Sequence, residues 1–170
     1  LLRGVDFPFV VIDEAAQIME PACLIPMVKG SRQVVLVGDQ CQLPATVMSP
    51  AAQKKGLDIS LLERLLTLGM EVHMLDTQYR MHPLIAHFPS WRFYRAELQT
   101  GVPAVERGHA YGDLQHPLSF VNVQSEEQAA GKSKVNRAEA MCVAGLVQRL
   151  GLSPEDVGII TPYAAQEGGI

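Results

Sequence analysis

The sequence predicts an α/β fold with mostly parallel sheets, and three observations support this prediction. Two short apolar segments, residues 9–13 and 33–37, have the length and the β-branched content of strands. A helix-sized segment, residues 20–28, lies between them, and this order predicts a right-handed crossover between parallel strands. Apolar segments and helix-sized segments continue to alternate along the rest of the chain, as in α/β proteins.

The first predicted strand contains four consecutive apolar residues and ends in two adjacent acids, Asp13 and Glu14. An apolar segment without alternation is typical of a strand that is buried on both faces. Open α/β sheets bind their ligands at the carboxyl ends of strands, where these two acids fall. One carboxylate can hold Mg²⁺ through water, and its neighbour can orient and deprotonate an attacking water. The pair therefore fits the hydrolysing end of a P-loop NTPase, and an ordinary polar turn is the alternative.

The second predicted strand also ends in a polar cluster, which contains Asp39 and Gln42. Because the carboxyl ends of adjacent parallel strands lie at the same edge of a sheet, we expect this cluster to lie beside Asp13 and Glu14. The sequence thus predicts one polar edge built from two strand ends.

The remaining elements follow from apolar periodicity and from start and stop signals. Helices are predicted at residues 20–28, 60–68, 83–94 and 136–150, the last with Asn136 as its N-cap. Further strands are predicted at residues 72–75, 118–123 and 157–161. Residues 49–56 are predicted to be a polar connector, 100–114 to be irregular and 124–134 to be a mobile polar loop.

Composition restricts the class of protein. Hydrophobic residues make up 48% of the 170 residues, which is enough for a core. The net charge of −4 argues against a generally basic nucleic-acid coat protein, although a narrow basic groove is compatible with it. The three cysteines are widely spaced, which supports neither a zinc site nor a disulfide framework. No segment resembles a transmembrane helix or a signal peptide, so no membrane partner is predicted.

Four motifs occur in an order that resembles superfamily 1 helicases. They span residues 13–17, 38–44, 78–83 and 160–166. The third motif, Gln-Tyr-Arg-Met-His-Pro, most closely resembles the up-frameshift RNA helicases of nonsense-mediated mRNA decay and their relatives. The resemblance extends over nearly the whole chain, as far as Gln166.

The resemblance implies two partial RecA-like domains of the P-loop NTPase type. Residues 1–76 would be the C-terminal part of the first domain, and residues 77–170 the truncated N-terminal part of the second. ATP would bind in the cleft between the domains, and single-stranded RNA or DNA would cross the top.

The resemblance also implies roles for five polar residues of the first domain. Asp13 would hold Mg²⁺ through water, and Glu14 would be the catalytic base. Gln42 would be the γ-phosphate sensor, because an amide can donate to phosphate while it accepts from water. Asp39 would lie beside Gln42, and Gln17 would line the cleft.

Two residues of the second domain would complete the nucleotide site. Tyr79 would stack on the adenine base, with an interdomain core aromatic as the alternative. Arg80 would reach the γ-phosphate as an arginine finger in cis. His82 is expected to be structural, because Glu14 already supplies the base.

The fourth motif implies a nucleic-acid contact by Thr161, Pro162 and Tyr163, at a predicted strand end. Five basic residues either contribute to nucleic-acid binding or are solvated surface. They are Lys54, Lys55, Arg92, Arg95 and Arg107.

The chain starts at Leu1 and carries no G-x-x-x-x-G-K-[ST] sequence. We therefore expect it to be a piece of a longer protein and to be inactive on its own. The resemblance implies mRNA-decay or other nucleic-acid-processing proteins as partners, a monomeric helicase core, and a cytoplasmic location with the nucleus as a second possibility. Two alternatives stay open: a DNA or RNA–DNA helicase of the same superfamily, and a non-catalytic remnant or binding module.

Overall fold

The computed structural model describes residues 4–108, 114 and 116–168. The chain divides into two compact units, Leu1–Met74 and Leu75–Ile170, and each is described by itself. Part of the segment 100–114, which the sequence predicts to be irregular, lies outside the described residues.

The first unit contains the predicted crossover. Strand β1 (Phe9–Ile12) pairs in parallel with strand β2 (Gln33–Leu36), and helix α1 (Glu20–Met27) connects them. The register aligns Ile12 with Leu36, so the two strands end at the same level. The prediction of a parallel strand–helix–strand unit is confirmed.

Burial of β1 differs from the prediction. Val10 and Ile12 are buried, whereas Phe9 and Val11 are each 56% exposed. Successive side chains of a strand point to opposite faces, and the core of the first unit forms on one face only, where Cys23 of α1 is also buried. The expectation that β1 is buried on both faces is therefore wrong for this structure.

Helix α3 (Leu61–Thr67) completes the core of the first unit, after the short helix α2 (Pro50–Gln53) in the polar connector. Ser60 caps α3, because its hydroxyl oxygen accepts a hydrogen bond from the Glu63 N–H at 3.1 Å. Arg64 of α3 donates two hydrogen bonds, of 2.6 and 2.7 Å, to the Glu20 carboxylate of α1. These hydrogen bonds lower the pKa of Glu20 and join the two helices.

The second unit repeats the crossover on a smaller scale. Strand β3 (Thr77–Gln78) pairs in parallel with β4 (Gln99–Thr100), and helix α4 (Pro83–Phe93) lies between them. A short 3₁₀ helix, Ala104–Arg107, follows β4.

An antiparallel hairpin of β5 (Gln128–Ala130) and β6 (Ser133–Val135) replaces the predicted mobile loop. Its turn contains Gly131 with φ +62°, a conformation that glycine adopts without strain. An ion pair between Lys134 and Glu127 closes the hairpin. The segment was predicted to be a loop because it is polar and lacks the apolar alternation that is typical of strands.

Helix α5 (Arg137–Leu150) begins at the predicted N-cap, because the Asn136 side-chain oxygen accepts from the Glu139 N–H at 3.2 Å. Helix α6 (Ala164–Glu167) is the last described element. Among the described residues, no helix is both long enough and apolar enough to cross a bilayer.

Three predicted strands, at residues 72–75, 118–123 and 157–161, are not strands in this structure. Several of their apolar side chains are exposed, for example Leu75 at 86%, Phe120 at 91% and Ile160 at 97%. A strand forms only where a neighbouring strand supplies backbone hydrogen bonds, and no described strand pairs with these segments. The predictions of strands in these three segments are therefore wrong.

Candidate functional site

The carboxyl ends of β1 and β2 are joined by backbone hydrogen bonds. The Val37 N–H donates to the Ile12 carbonyl at 2.9 Å, and the Ala15 N–H donates to the Val37 carbonyl at 2.8 Å. Asp13 and Asp39 therefore follow adjacent strand ends. The predicted shared polar edge of the sheet is confirmed.

The acid pair after β1 has an unusual backbone. Glu14 has φ +51° and ψ +37°, in the left-handed region that a non-glycine residue adopts only at a cost of roughly 1–3 kcal/mol. The Glu14 N–H donates to Asp13 Oδ1 at 2.9 Å, and Gln17 Nε2 donates to Glu14 Oε2 at 3.1 Å. Within the described part of the chain, the other oxygen of each carboxylate accepts no hydrogen bond. Each acid thus keeps one oxygen available to a ligand or to water.

The polar loop after β2 is organised by Asp39. Its Oδ1 accepts from the Cys41 N–H at 2.9 Å, and its Oδ2 accepts from Gln42 Nε2 at 3.0 Å. Gln42 is exposed and retains a second amide hydrogen and its carbonyl oxygen. Asp39 therefore positions the amide of Gln42 in the same way that Glu14 positions the amide of Gln17.

Gly38 permits the close approach of the two strand ends, a role that the sequence analysis did not assign. A Cβ atom at this position would lie 2.9 Å from the Ala16 backbone nitrogen and 3.0 Å from that of Ala15. A glycine directly after a predicted strand was the signal that could have identified this contact.

Neither a reactive thiol nor a preformed metal cluster is found at this edge. Loss of hydration, and then the charge of Asp39, raises the pKa of the Cys41 thiol, which favours its unreactive neutral form. The described residues contain no group of three or more metal-ligating side chains. Mg²⁺ nevertheless fits, because it is commonly held by one or two carboxylates together with waters and substrate phosphates, and Asp13 has a free oxygen.

In the second unit, the Gln78 side chain shapes the loop that carries Tyr79 and Arg80. Its Oε1 accepts from the Arg80 N–H at 2.9 Å and from the Met81 N–H at 2.7 Å. Its Nε2 donates to the Met81 carbonyl and to the Thr100 hydroxyl of β4. The sequence analysis treated Gln78 only as part of a motif. In the structure its side chain makes the hydrogen bonds that fix the conformation of the loop at residues 79–81.

The side chains of Tyr79 and Arg80 are both exposed, Tyr79 to 65%. Arg80 makes no ion pair with any described residue. Arg107 donates hydrogen bonds to the main-chain carbonyls of Tyr79 and Arg80. His82 is buried, and its Nδ1 accepts from the Leu84 N–H at 3.1 Å, so it caps α4.

The third candidate region, Thr161 to Tyr163, precedes α6 and does not end a strand. The Lys134 ammonium lies 5.8 Å from the centre of the Tyr163 ring. A cavity of about 120 Å³ lies beside these residues and the start of α5. Gln166 is buried and anchors this region, since it accepts from the Asn136 N–H at 2.7 Å and donates to the Asn136 carbonyl at 3.0 Å.

Two family models match the chain, each described as an AAA domain. One matches residues 57–170 and the other matches residues 1–50. The chain is also similar to curated proteins from several eukaryotes. It is 42% identical to the regulator of nonsense transcripts 1 homolog of Drosophila melanogaster over 174 residues, which is 97% of this chain and 15% of that protein.

Two further relatives also align with almost all of this chain and with a small part of their own length. The homolog from Arabidopsis thaliana is 45% identical over 181 residues, covering 99% of this chain and 14% of that protein. The ATP-dependent helicase NAM7 of Saccharomyces cerevisiae is 41% identical over 174 residues, covering 96% of this chain and 18% of that protein. The chain thus spans less than one fifth of the length of these relatives.

These matches confirm the resemblance to superfamily 1 helicases, from which the roles of the motifs were inferred. One model covers more than half of the chain, and the relatives align along almost all of it. The α/β fold with parallel strand pairs agrees with the RecA-like P-loop fold that such domains imply. The chain therefore belongs to the AAA domain family and is similar in sequence to superfamily 1 helicases of the regulator of nonsense transcripts 1 type.

Proposed function

We propose that the native protein carrying this chain is an ATP-dependent helicase that moves along single-stranded RNA in mRNA surveillance. The observation that carries this proposal is the polar edge at the ends of β1 and β2, where two carboxylates and two amides are held in a defined hydrogen-bonded arrangement. Relatives similar over nearly the whole chain are named ATP-dependent helicases and regulators of nonsense transcripts.

In this proposal the first unit supplies the base and part of the magnesium site. Asp13 would hold Mg²⁺ through water, and the bound ion would supply positive charge that offsets the charge on the phosphates. Glu14 accepts the proton of the attacking water, with Gln17 fixing one of its carboxylate oxygens. Gln42, oriented by Asp39, senses the γ-phosphate through its remaining amide hydrogen and its carbonyl oxygen.

The second unit supplies two residues that bind the nucleotide. Arg80 contributes a permanent positive charge to the γ-phosphate, a role supported by its exposure and by the absence of an ion pair to any described residue. Tyr79 offers an exposed ring to the adenine base. Each unit is proposed to belong to one RecA-like domain.

Single-stranded RNA is proposed to contact Thr161, Pro162 and Tyr163. A hydroxyl can bind a phosphate, and an aromatic ring can stack on a base. We further propose mRNA-decay proteins as partners, a monomeric helicase core, and a cytoplasmic location with the nucleus as a second compartment.

The test compares the native full-length protein with its Glu14→Gln variant in RNA-stimulated ATP hydrolysis. Loss of a general base lowers kcat by roughly 10² to 10⁴. The matched control is Glu71→Gln, which neutralises an exposed acid of the same unit and should leave kcat unchanged.

The outcomes discriminate between the proposal and its competitors. Wild-type hydrolysis that single-stranded DNA stimulates, and RNA does not, indicates a DNA helicase of the same superfamily. A wild-type protein without ATPase activity, or a Glu14→Gln variant as active as the wild type, contradicts the proposal and favours a binding module.

A further inference from the structure

Arg107 is bonded to the segment that carries the two candidate nucleotide residues of the second unit. It is the last residue of the 3₁₀ helix Ala104–Arg107. Its Nε donates to the Arg80 carbonyl at 3.0 Å, and its Nη2 donates to the Tyr79 carbonyl. The planar guanidinium thus holds two successive main-chain carbonyls with two of its donors.

A second contact, made by the residue that follows β4, restrains the same segment. The ring of Tyr79 lies over Gly101, where an added Cβ would be 2.7 Å from Cζ and 2.8 Å from Cδ1 of the ring. The Gly101 N–H also donates to the Gln78 carbonyl at 2.9 Å. Only glycine, which has no side chain, leaves space for the ring at this position. One part of the ring therefore contacts backbone, and Tyr79 as a whole is 65% exposed.

We propose that Arg107 is a positioning residue that clamps the Tyr79–Arg80 backbone and thereby sets the directions of both side chains toward a bound nucleotide. In this arrangement the Tyr79 ring packs against the backbone of Gly101. The inference rests on the proposed function, because it assigns Tyr79 and Arg80 to nucleotide binding. It differs from the expectation that Arg107 is a nucleic-acid contact or solvated surface, since two of its donors are directed to main-chain oxygens.

The contacts of Arg107 explain how Tyr79 and Arg80 can be held in fixed positions although they lie in a loop. Tyr79 and Arg80 follow a strand of two residues, so little regular structure restrains them. Displacing a catalytic group by about 1 Å can reduce the rate by about 10²-fold. An arginine that bonds both carbonyls removes the backbone freedom that would allow such a displacement.

The test measures ATP hydrolysis by the native full-length protein with Arg107→Ala and Arg107→Lys. We expect Arg107→Ala to lower kcat by about 10- to 100-fold and to raise KM for ATP, because both side chains lose their restraint. We expect Arg107→Lys to recover only part of the activity, since a lysine ammonium lacks the planar fork that reaches two carbonyls. The control is Arg137→Ala, an exposed arginine of the same unit without a bonded partner among the described residues, which should match the wild type.

A double-variant cycle separates positioning from a general loss of structure. If Arg107 acts through Arg80, adding Arg107→Ala to Arg80→Ala causes little further loss of kcat. Multiplicative losses of kcat overturn the proposal, as does an Arg107→Ala variant that loses only RNA affinity and retains its nucleotide kinetics.

Amide hydrogen exchange supplies a measurement that does not depend on ATPase activity. Exchange at residues 80 and 81 should be faster in Arg107→Ala than in the wild type and in Arg137→Ala. Unchanged exchange at these amides overturns the clamp. Faster exchange in a protein whose wild type does not hydrolyse ATP supports the clamp and contradicts the proposed function instead.

Discussion

Gly38 sets how closely the two strand ends approach each other. The backbone nitrogens of Ala15 and Ala16 occupy the space next to its Cα, and Leu62 of α3 lies on the same side. The shared polar edge depends on this approach, because the Ala15 N–H reaches the Val37 carbonyl just before Gly38. A residue without polar atoms in its side chain thus determines how the polar residues around it are arranged.

Gly38→Ala should destabilise the protein by about 1–3 kcal/mol, because the new methyl group lies within 3.0 Å of backbone atoms that cannot move independently. Urea unfolding of the native protein measures the free energy of unfolding. Gly158→Ala is the matched control, since a Cβ at that position has no neighbour within 4 Å. Equal stability of the two variants would show that the strand ends tolerate a wider separation.

At the scale of the element, Gln166 connects the start of α5 to the start of α6. Its side chain satisfies both the N–H and the carbonyl of Asn136, which are buried with it. Asn136 in turn caps α5 with its side chain, so one buried pair of residues determines where that helix begins. Ser133 adds a further link, because its hydroxyl accepts from the Ala165 N–H at 3.2 Å.

Gln166→Ala should weaken the start of α5, because it leaves the buried Asn136 N–H without a partner, whereas the Asn136 carbonyl keeps its hydrogen bond from the Ala140 N–H. An unsatisfied buried group costs about 1–3 kcal/mol. Native-state hydrogen exchange of the amides at residues 136–140 reports this loss as a lower free energy of opening. Gln148→Ala removes an exposed amide of α5 and should leave the exchange rates unchanged. Unchanged protection in Gln166→Ala would exclude Gln166 as the anchor.

Elements were predictable where local signals determine them. Asn136 caps α5 as the sequence predicts, and α3 forms within the segment 60–68 that its apolar periodicity predicts. Strand predictions failed where a strand required a distant partner, as at residues 157–161. The hairpin of β5 and β6 was missed for the opposite reason, since polar segments form strands when a tight turn and an ion pair bring them together.

At the scale of the whole molecule, the chain supplies only some of the groups that ATP hydrolysis requires. It carries the candidate base and the candidate arginine finger, but its sequence contains no G-x-x-x-x-G-K-[ST] loop to bind the phosphates. The division into two compact units places the candidate base in one and the candidate finger in the other.

The purified 170-residue chain should therefore hydrolyse ATP no faster than its own Glu14→Gln variant. A coupled phosphate-release assay with and without single-stranded RNA measures the rate. The native full-length protein, assayed in parallel, is the positive control. A rate in the isolated chain that Glu14→Gln abolishes would contradict this prediction.

The sequence by itself determined the parallel crossover, the Asn136 cap of α5, the shared edge of Asp13 and Asp39, and membership of the helicase family. These features depend on residue order, local hydrogen bonding and short motifs, which can be read without coordinates. Only the tertiary structure decided that Asp39 orients Gln42, that Gly38 must be small, and that Arg107 holds Tyr79 and Arg80. The physical reason is that each of these contacts depends on distances of a few ångströms across turns or between separate segments, which residue types and spacing do not specify.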